Sequence, residues 1–384
     1  MRLTRRQSLA GAGALLASEA ASALPSTSLD SLNRLAARSG RRFGSAVGLG
    51  RQGHVEGPFA DPQYRAIVAR ECGLIVPENE LKWQWSRPSA TLFNFANLDR
   101  LIGWAESQHL PVRGHTLLWL PQKWYPKWLV DQDFGPTPAR SAEALLTDHV
   151  RTVCRRYGQR IHSYDVVNEA IQPETGEIRD TVLTRALGRE ATLDLMFHTA
   201  RIEAPHAQLV YNDYMSWERN SEDETHIKGV LKLLEGFRKR GTPVDALGIQ
   251  SHIRLLKRVP VAQIVRESQG PWRRFLDEVV GMGYKLLITE FDVNDHMAPT
   301  NAGIRDRMVA DYARAYLDLM LSYPQLGDVL AWGMVDQYSW LNGFDPRADK
   351  TIKRGTPYDA QYRPKALRRA IADAFRAASS RHTR

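Results

Sequence analysis

The run YDVVNEA at 164–170 is apolar in its middle and ends in an amide and a carboxylate, Asn168 and Glu169. A second apolar run, KLLITEFD at 285–292, delivers Glu290 and Asp292 in the same way. Two carboxylates, each released where a hydrophobic segment runs out, suit hydrolysis of a glycosidic bond. That chemistry needs one carboxylic acid with a raised pKa to protonate the leaving oxygen, and one ionised carboxylate as nucleophile or base. Spacing alone does not say which of Glu169 and Glu290 takes which part.

Polar and aromatic residues fall at the ends of other apolar runs too. Glu78, Asn79, Glu80 and Lys82 follow LIVPENE at 74–80, and His115 and Trp119 lie in PVRGHTLLW at 111–119. Asn212, Asp213 and Tyr214 close QLVYNDY at 208–214, and Gln250 and His252 close ALGIQSH at 246–252. Trp332 and Asp336 belong to VLAWGMVD at 329–336. This mixture suits a sugar, because aromatic faces pack on a pyranose ring while amides and carboxylates bond its hydroxyls. Singly, each has a plainer reading as a helix cap, an ion-pair member or a core ring. Their recurrence at seven successive segment ends carries the argument. No HExxH or similar histidine pair occurs and amides bind zinc poorly, so no metal is expected.

The elements that must position these residues alternate. With FGSAVG at 43–48 and IHSYDVVNE at 161–169 there are eight strand-like runs. Helical periodicity fills 98–108, 142–157, 193–204, 227–241 and 307–323. Strands alternating with helices predict a parallel sheet, and eight units predict an α/β (β/α)8 TIM barrel as a single catalytic domain over 43–384. A doubly wound open sheet competes, but no Gly-rich phosphate turn follows a strand. A helical segment at 24–42, centred on SLDSLNRLAARSG at 28–40, precedes the barrel.

Residues 1–23 have the layout of an export signal: a basic start, an Ala/Gly/Leu stretch and the small-x-small site Ala21-Ser22-Ala23. The adjacent Arg5 and Arg6 point to the twin-arginine route, with a periplasmic or extracellular destination. Glu19 is awkward in such a segment. No run approaches the roughly 18 apolar residues of a membrane span, so no membrane partner is expected after cleavage. The formal charge of +9 is scattered rather than gathered in a stripe, which argues against nucleic acid. Cys72 and Cys154 show no CxxC spacing. Two free thiols are expected, a single disulfide being the alternative.

ENELKW at 78–83, RGHTLLW at 113–119, YDVVNEA at 164–170 and YNDY at 211–214 resemble glycoside hydrolase family 10, the endo-1,4-β-xylanases. GIQSHI at 248–253, ITEFDV at 288–293 and WGMVDQYSWL at 332–341 continue the resemblance in order. It implies a retaining xylanase acting by double displacement on xylan and xylo-oligosaccharides, as a monomer without cofactor. By the same resemblance Glu169 is the general acid/base and Glu290 the nucleophile. Asn168 would bond the sugar 2-hydroxyl, and His252 and Asp292 would orient Glu290. Glu78, Asn79, Lys82, His115 and Gln122 would bind sugars on the non-reducing side. Trp119, Trp332 and Trp340 would wall that cleft, with Tyr214 and Gln250 near the reaction centre. The family usually reads Trp-His-x-Gln where this chain has Trp119-Leu120-Pro121-Gln122, which predicts a changed pH profile or altered contacts. Met215, Trp217 and the aromatic KWYPKW at 123–128 are also unusual. Two other readings stay open: a β-glycosidase on the same barrel acting on glucans or aryl glycosides, and a carbohydrate-binding protein without catalysis.

Overall fold

Runs rich in Val, Ile and Leu, flanked by long amphipathic segments, can bury both strand faces only in a parallel sheet covered by helices. The computed structural model of the chain, which describes residues 30–50, 57–218, 221–255 and 259–380, has this arrangement. The strands are β1 (Phe43–Val47), β2 (Ile75–Pro77), β3 (Val112–Trp119), β4 (Ile161–Asn168) and β5 (Gln208–Asp213), followed by β6 (Ala246–Ile249), β7 (His252–Arg254), β8 (Lys285–Asn294) and β9 (Leu326–Ala331). All pair in parallel. The order β1-β2-β3-β4-β5-β6-β8-β9 returns to β1 through Phe43↔Val329, closing the ring. β7 prolongs the line of β6 after a break at Gln250 and Ser251, and lies against β8 with His252 opposite Asp292. The barrel therefore has eight staves, one of them interrupted, and closure excludes the open doubly wound sheet.

The helices at Ala96–Ser107, Pro138–Tyr157, Arg189–Glu203, Ser221–Arg240 and Ala302–Leu321 match the expected periodicity. Val261–Gly281 escapes it, because Gly270-Pro271 looks like a break; the helix runs through and buries Trp272, Phe275, Leu276 and Val279. The helical segment expected at 24–42 contains the helix Leu32–Ala37; residues 24–29, like the export segment at 1–23, lie outside the described residues. Contacts gather Ser31–Arg384 into one compact unit. Within it the buried Glu71 carboxylate accepts the Leu32 N–H at 2.9 Å, Arg368 Nη2 at 3.0 Å and the Tyr358 hydroxyl. One acid thus ties the first helix to the last, Ala366–Ala377. Cys72 and Cys154 are buried free thiols.

Two strand expectations change. LIVPENE shortens to Ile75–Pro77, since Pro77 has no N–H to extend a ladder. VLAWGMVD ends as a strand at Ala331, and Asp336 lies in a turn, fully buried. Its carboxylate accepts Lys365 Nζ at 2.8 Å and Thr356 Oγ1 at 2.7 Å, so it braces the C-terminal segment rather than facing a cleft.

Inside the barrel, Arg113 on β3 and Asp165 on β4 form a fully buried ion pair at 2.5 Å. The second oxygen of Asp165 takes His115 Nδ1 at 2.9 Å. Removing one partner of such a pair strands a charge in the interior. Arg113→Met is expected to lower the unfolding free energy by about 3–5 kcal/mol. Urea denaturation checks this, and an unchanged midpoint would refute it.

Candidate active site

β4 hands over from Asn168 to Glu169 through a left-handed residue, Glu169 at φ 57°. Its N–H donates to the Asn212 carbonyl at 2.9 Å, and its own carbonyl accepts Arg179 Nε at 2.9 Å. The backbone is pinned on both sides while the side chain turns into a partly accessible space. Glu169 Oε1 accepts Gln250 Nε2 at 3.0 Å. Burial pushes its pKa up against the hydrogen bonds from Gln250 and Trp119, and the charges of Asp213 and Glu290 push it further. The net effect holds the carboxyl above its ordinary value.

Glu290 on β8 has the opposite surroundings. Its Oε1 accepts Asn212 Nδ2 at 2.8 Å, and its Oε2 lies 3.2 Å from His252 Nε2. His252 Nδ1 is 2.9 Å from Asp292 Oδ1, and the other Asp292 oxygen accepts the Trp340 indole at 2.7 Å. Burial alone would raise the Glu290 pKa. The hydrogen bond from His252 and the charges of His115, His252 and Lys82 outweigh it and hold the carboxylate at about 2. Burial likewise disfavours a charged His252, but Asp292 and Glu290 prevail and raise it to about 10.

A chain of amides joins the two acids. Asn212 Nδ2 donates to Asn168 Oδ1 as well as to Glu290, each at 2.8 Å, and Thr289 Oγ1 donates to Asn212 Oδ1 at 2.7 Å. Gln250 reaches Asn168 Oδ1 at 3.3 Å. Turned over, the Asn168 amide would instead accept the Trp119 indole N–H at 3.1 Å while staying beside Asn212.

The remaining expected residues gather around this core. Lys82 Nζ donates to Asn79 Oδ1 at 3.1 Å, and burial lowers its pKa against the pull of Glu290, Glu78, Glu169 and Glu80. Glu78 fits beside β1 because residue 48 is glycine: a Cβ there would come within 2.8 Å of the carboxylate. Trp332 stands edge-on to His115 at 5.4 Å, and Trp340 is tilted over His252 at 4.9 Å. Tyr214 accepts Arg179 Nη2 at 2.8 Å.

Some expectations shift. Gln122 turns its oxygen to the Val182 N–H at 2.8 Å, which ties that end of the amide to the next segment. Trp119 has little free face for a sugar, because Trp124 is stacked on it at 4.9 Å and 10° and the Lys82 ammonium lies 4.6 Å over the ring. Its indole Nε1, 3.1 Å from the Asn168 amide, is what it brings to the site. Glu80 is buried and accepts the Leu49 N–H at 2.7 Å, and Asp213 is held by His226 at 3.1 Å; both are structural. Leu120 is fully buried with its N–H on the Asn168 carbonyl at 3.0 Å, and Met215 and Trp217 are core residues. Arg179, Asp165 and Thr289 were not anticipated. Arg179 lies outside any strand, and the other two precede the strand ends.

The model of glycosyl hydrolase family 10 matches residues 31–374. The chain belongs to this family. Family 10 membership makes it a glycoside hydrolase on a TIM barrel. Endo-1,4-beta-xylanase B of Thermotoga neapolitana is 28% identical over 311 residues, covering 81% of this chain and 83% of that protein. Xylanase 10B of Thermotoga maritima superposes with a TM-score of 0.75 at 27% identity, over 90% of this chain and 98% of that one. Xylanase 10B of Thermotoga petrophila RKU-1, solved with xylobiose, gives 0.74 at 26%, over 90% and 97%.

With a folded pKa of about 10 against an ordinary 6.5, His252 stabilises the fold fully below pH 6.5, and that contribution is lost as pH rises towards 10. At pH 8 its imidazole is expected to carry both N–H protons, visible as an imidazolium pattern in nitrogen-15 NMR. A ring titrating near 6.5 would contradict this.

Proposed function

We propose that this protein is a retaining endo-1,4-β-xylanase that cuts internal xylosidic bonds of xylan by double displacement. The carrying observation is the divergence of two carboxyls joined by one chain of amides: Glu290 held at about 2 by its imidazole partner, Glu169 raised by burial. A Glu290 carboxylate held well below the ordinary range suits attack on the anomeric carbon, and a Glu169 carboxyl raised above it suits proton donation to the departing oxygen. Glu290 forms the bond to carbon as the glycosidic C–O bond breaks. Glu169, now a carboxylate, then takes a proton from water, which displaces Glu290 and leaves the configuration retained. Retention goes with carboxyl groups roughly 5–5.5 Å apart. Asn168 is suited to bonding the 2-hydroxyl, and His252 with Asp292 to orienting Glu290. Glu78, Asn79, Lys82 and His115 supply donors and acceptors for xylosyl hydroxyls, with Trp332 and Trp340 as apolar walls. The xylanase names of the relatives and the xylobiose bound by the Thermotoga petrophila enzyme support the substrate. Arg5 and Arg6 support export by the twin-arginine route, after which the catalytic domain acts as a monomer.

Proton NMR of the first product from xylan tests the reading: β-anomer is expected, and α-anomer or cleavage of glucan alone would overturn it. Glu290→Ala is expected to abolish turnover on every substrate. Glu169→Ala is expected to impair xylan far more than activated aryl xylosides, because only the former needs the proton. Equal damage to both would remove Glu169 from the role of acid. Activity should persist on the acid side until Glu290 is protonated or the fold fails, and fall on the alkaline side as Glu169 loses its proton. In Glu169→Gln, assayed on an aryl xyloside, that alkaline limb should vanish.

A further inference from the structure

The segment KWYPKW departs from its surroundings in being dense with aromatic rings, and the structure separates their uses. Tyr125 is buried. Trp128 lies against Trp83 at 5.9 Å and 18°, and its indole donates to the Arg87 carbonyl at 2.9 Å. Trp124 differs. It is 41% exposed, and its aromatic neighbour is Trp119, on which it stacks nearly parallel. The turn that carries it is firm: the Trp124 N–H donates to the Pro121 carbonyl at 3.0 Å, and Pro121 and Pro126 bracket it. Gln122 anchors the same turn to Val182.

An exposed indole on a braced turn gains nothing for the core, yet it loses little conformational freedom when something packs on it. Its position is set by Trp119, whose edge reaches the Asn168 amide beside Glu169 and whose face is already covered. The flat apolar surface that the Glu169 wall can offer a pyranose ring therefore belongs to Trp124. Lys123 Nζ lies 5.3 Å from the ring centre, but an exposed cation over an aromatic face is weakly held and easily displaced. The Glu290 wall repeats the pattern: Phe344, 66% exposed, packs on Trp340 at 4.6 Å and 38°.

Resting on the xylanase reading, we propose that Trp124 is a substrate-binding residue, an outer aromatic platform that takes the apolar face of a xylosyl unit remote from the scissile bond. It replaces the sugar-stacking role that Trp119 cannot fill. Such a platform engages only when the chain is long enough to reach it, so its contribution depends on substrate length.

The test is kcat/KM for linear xylo-oligosaccharides of increasing length, measured on the full chain and on Trp124→Ala, Trp124→Phe and Trp124→Leu. The ratio of wild type to Trp124→Ala is expected to grow with length, reaching on the order of tenfold on the longest chains. Most of the difference should lie in KM. Trp124→Phe should restore much of the loss and Trp124→Leu little of it, because a flat ring and not mere bulk is required. A ratio that is the same at every length would overturn the proposal, since it would mean that Trp124 acts only by bracing Trp119. So would a ratio of one throughout, or full rescue by leucine. A wild-type protein that cleaves cello-oligosaccharides but no xylo-oligosaccharide would sink the xylanase reading instead. The same length series on glucan chains would then decide the platform.

Discussion

Two carboxyl groups, Glu169 and Glu290, are joined by one chain of amides, and the proposed chemistry needs them in opposite charge states at the same pH. In a low-dielectric site, proximity alone would raise the pKa of both. The separation comes chiefly from the imidazole held between Glu290 and Asp292, to which the charges of His115 and Lys82 add. His252 bonds both carboxylates, and their combined charge keeps it protonated far above the range where an imidazole ordinarily lets go. Glu169 has no such partner; its oxygen meets neutral amide and indole donors.

The barrel makes that arrangement reproducible. Residues two apart on a strand share a face, so Glu290 and Asp292 leave β8 together. The break at Gln250 and Ser251 lets the sixth stave resume as β7 with His252 opposite Asp292. The inter-strand spacing then sets the imidazole–carboxylate distances. Below this level the Arg113–Asp165 pair steadies His115, so the floor of the site is itself built from buried charge.

Much of this was legible in the sequence because strand ends are a local signal. An apolar run followed by Asn-Glu or Glu-x-Asp marks both a stave and its chemistry, and the cluster around Glu169 and Glu290 followed from that rule. The same rule could not separate Glu80, Asp213 and Asp336 from the cleft residues. A strand-end carboxylate satisfied by a backbone N–H, a histidine or a lysine looks identical in one dimension. Arg179 clamps Glu169 from a loop, where no periodicity points to it. Trp119 sits where expected, but its ring is covered by a residue five positions on, and only packing reveals that. The helix at Val261–Gly281 was hidden by an internal proline that the fold tolerates.

Glu169 occupies a backbone conformation that glutamate disfavours by about 1–2 kcal/mol. Glycine or asparagine would sit there with less strain, and neither would bury an acid. With the proton-donor role proposed for Glu169, folding and catalysis pull in opposite directions at this one position. A lineage released from the need to cut polysaccharide could drift to a relaxed residue here and lose no stability. In the proposed role, drift at this site would register as lost turnover long before it registered as misfolding.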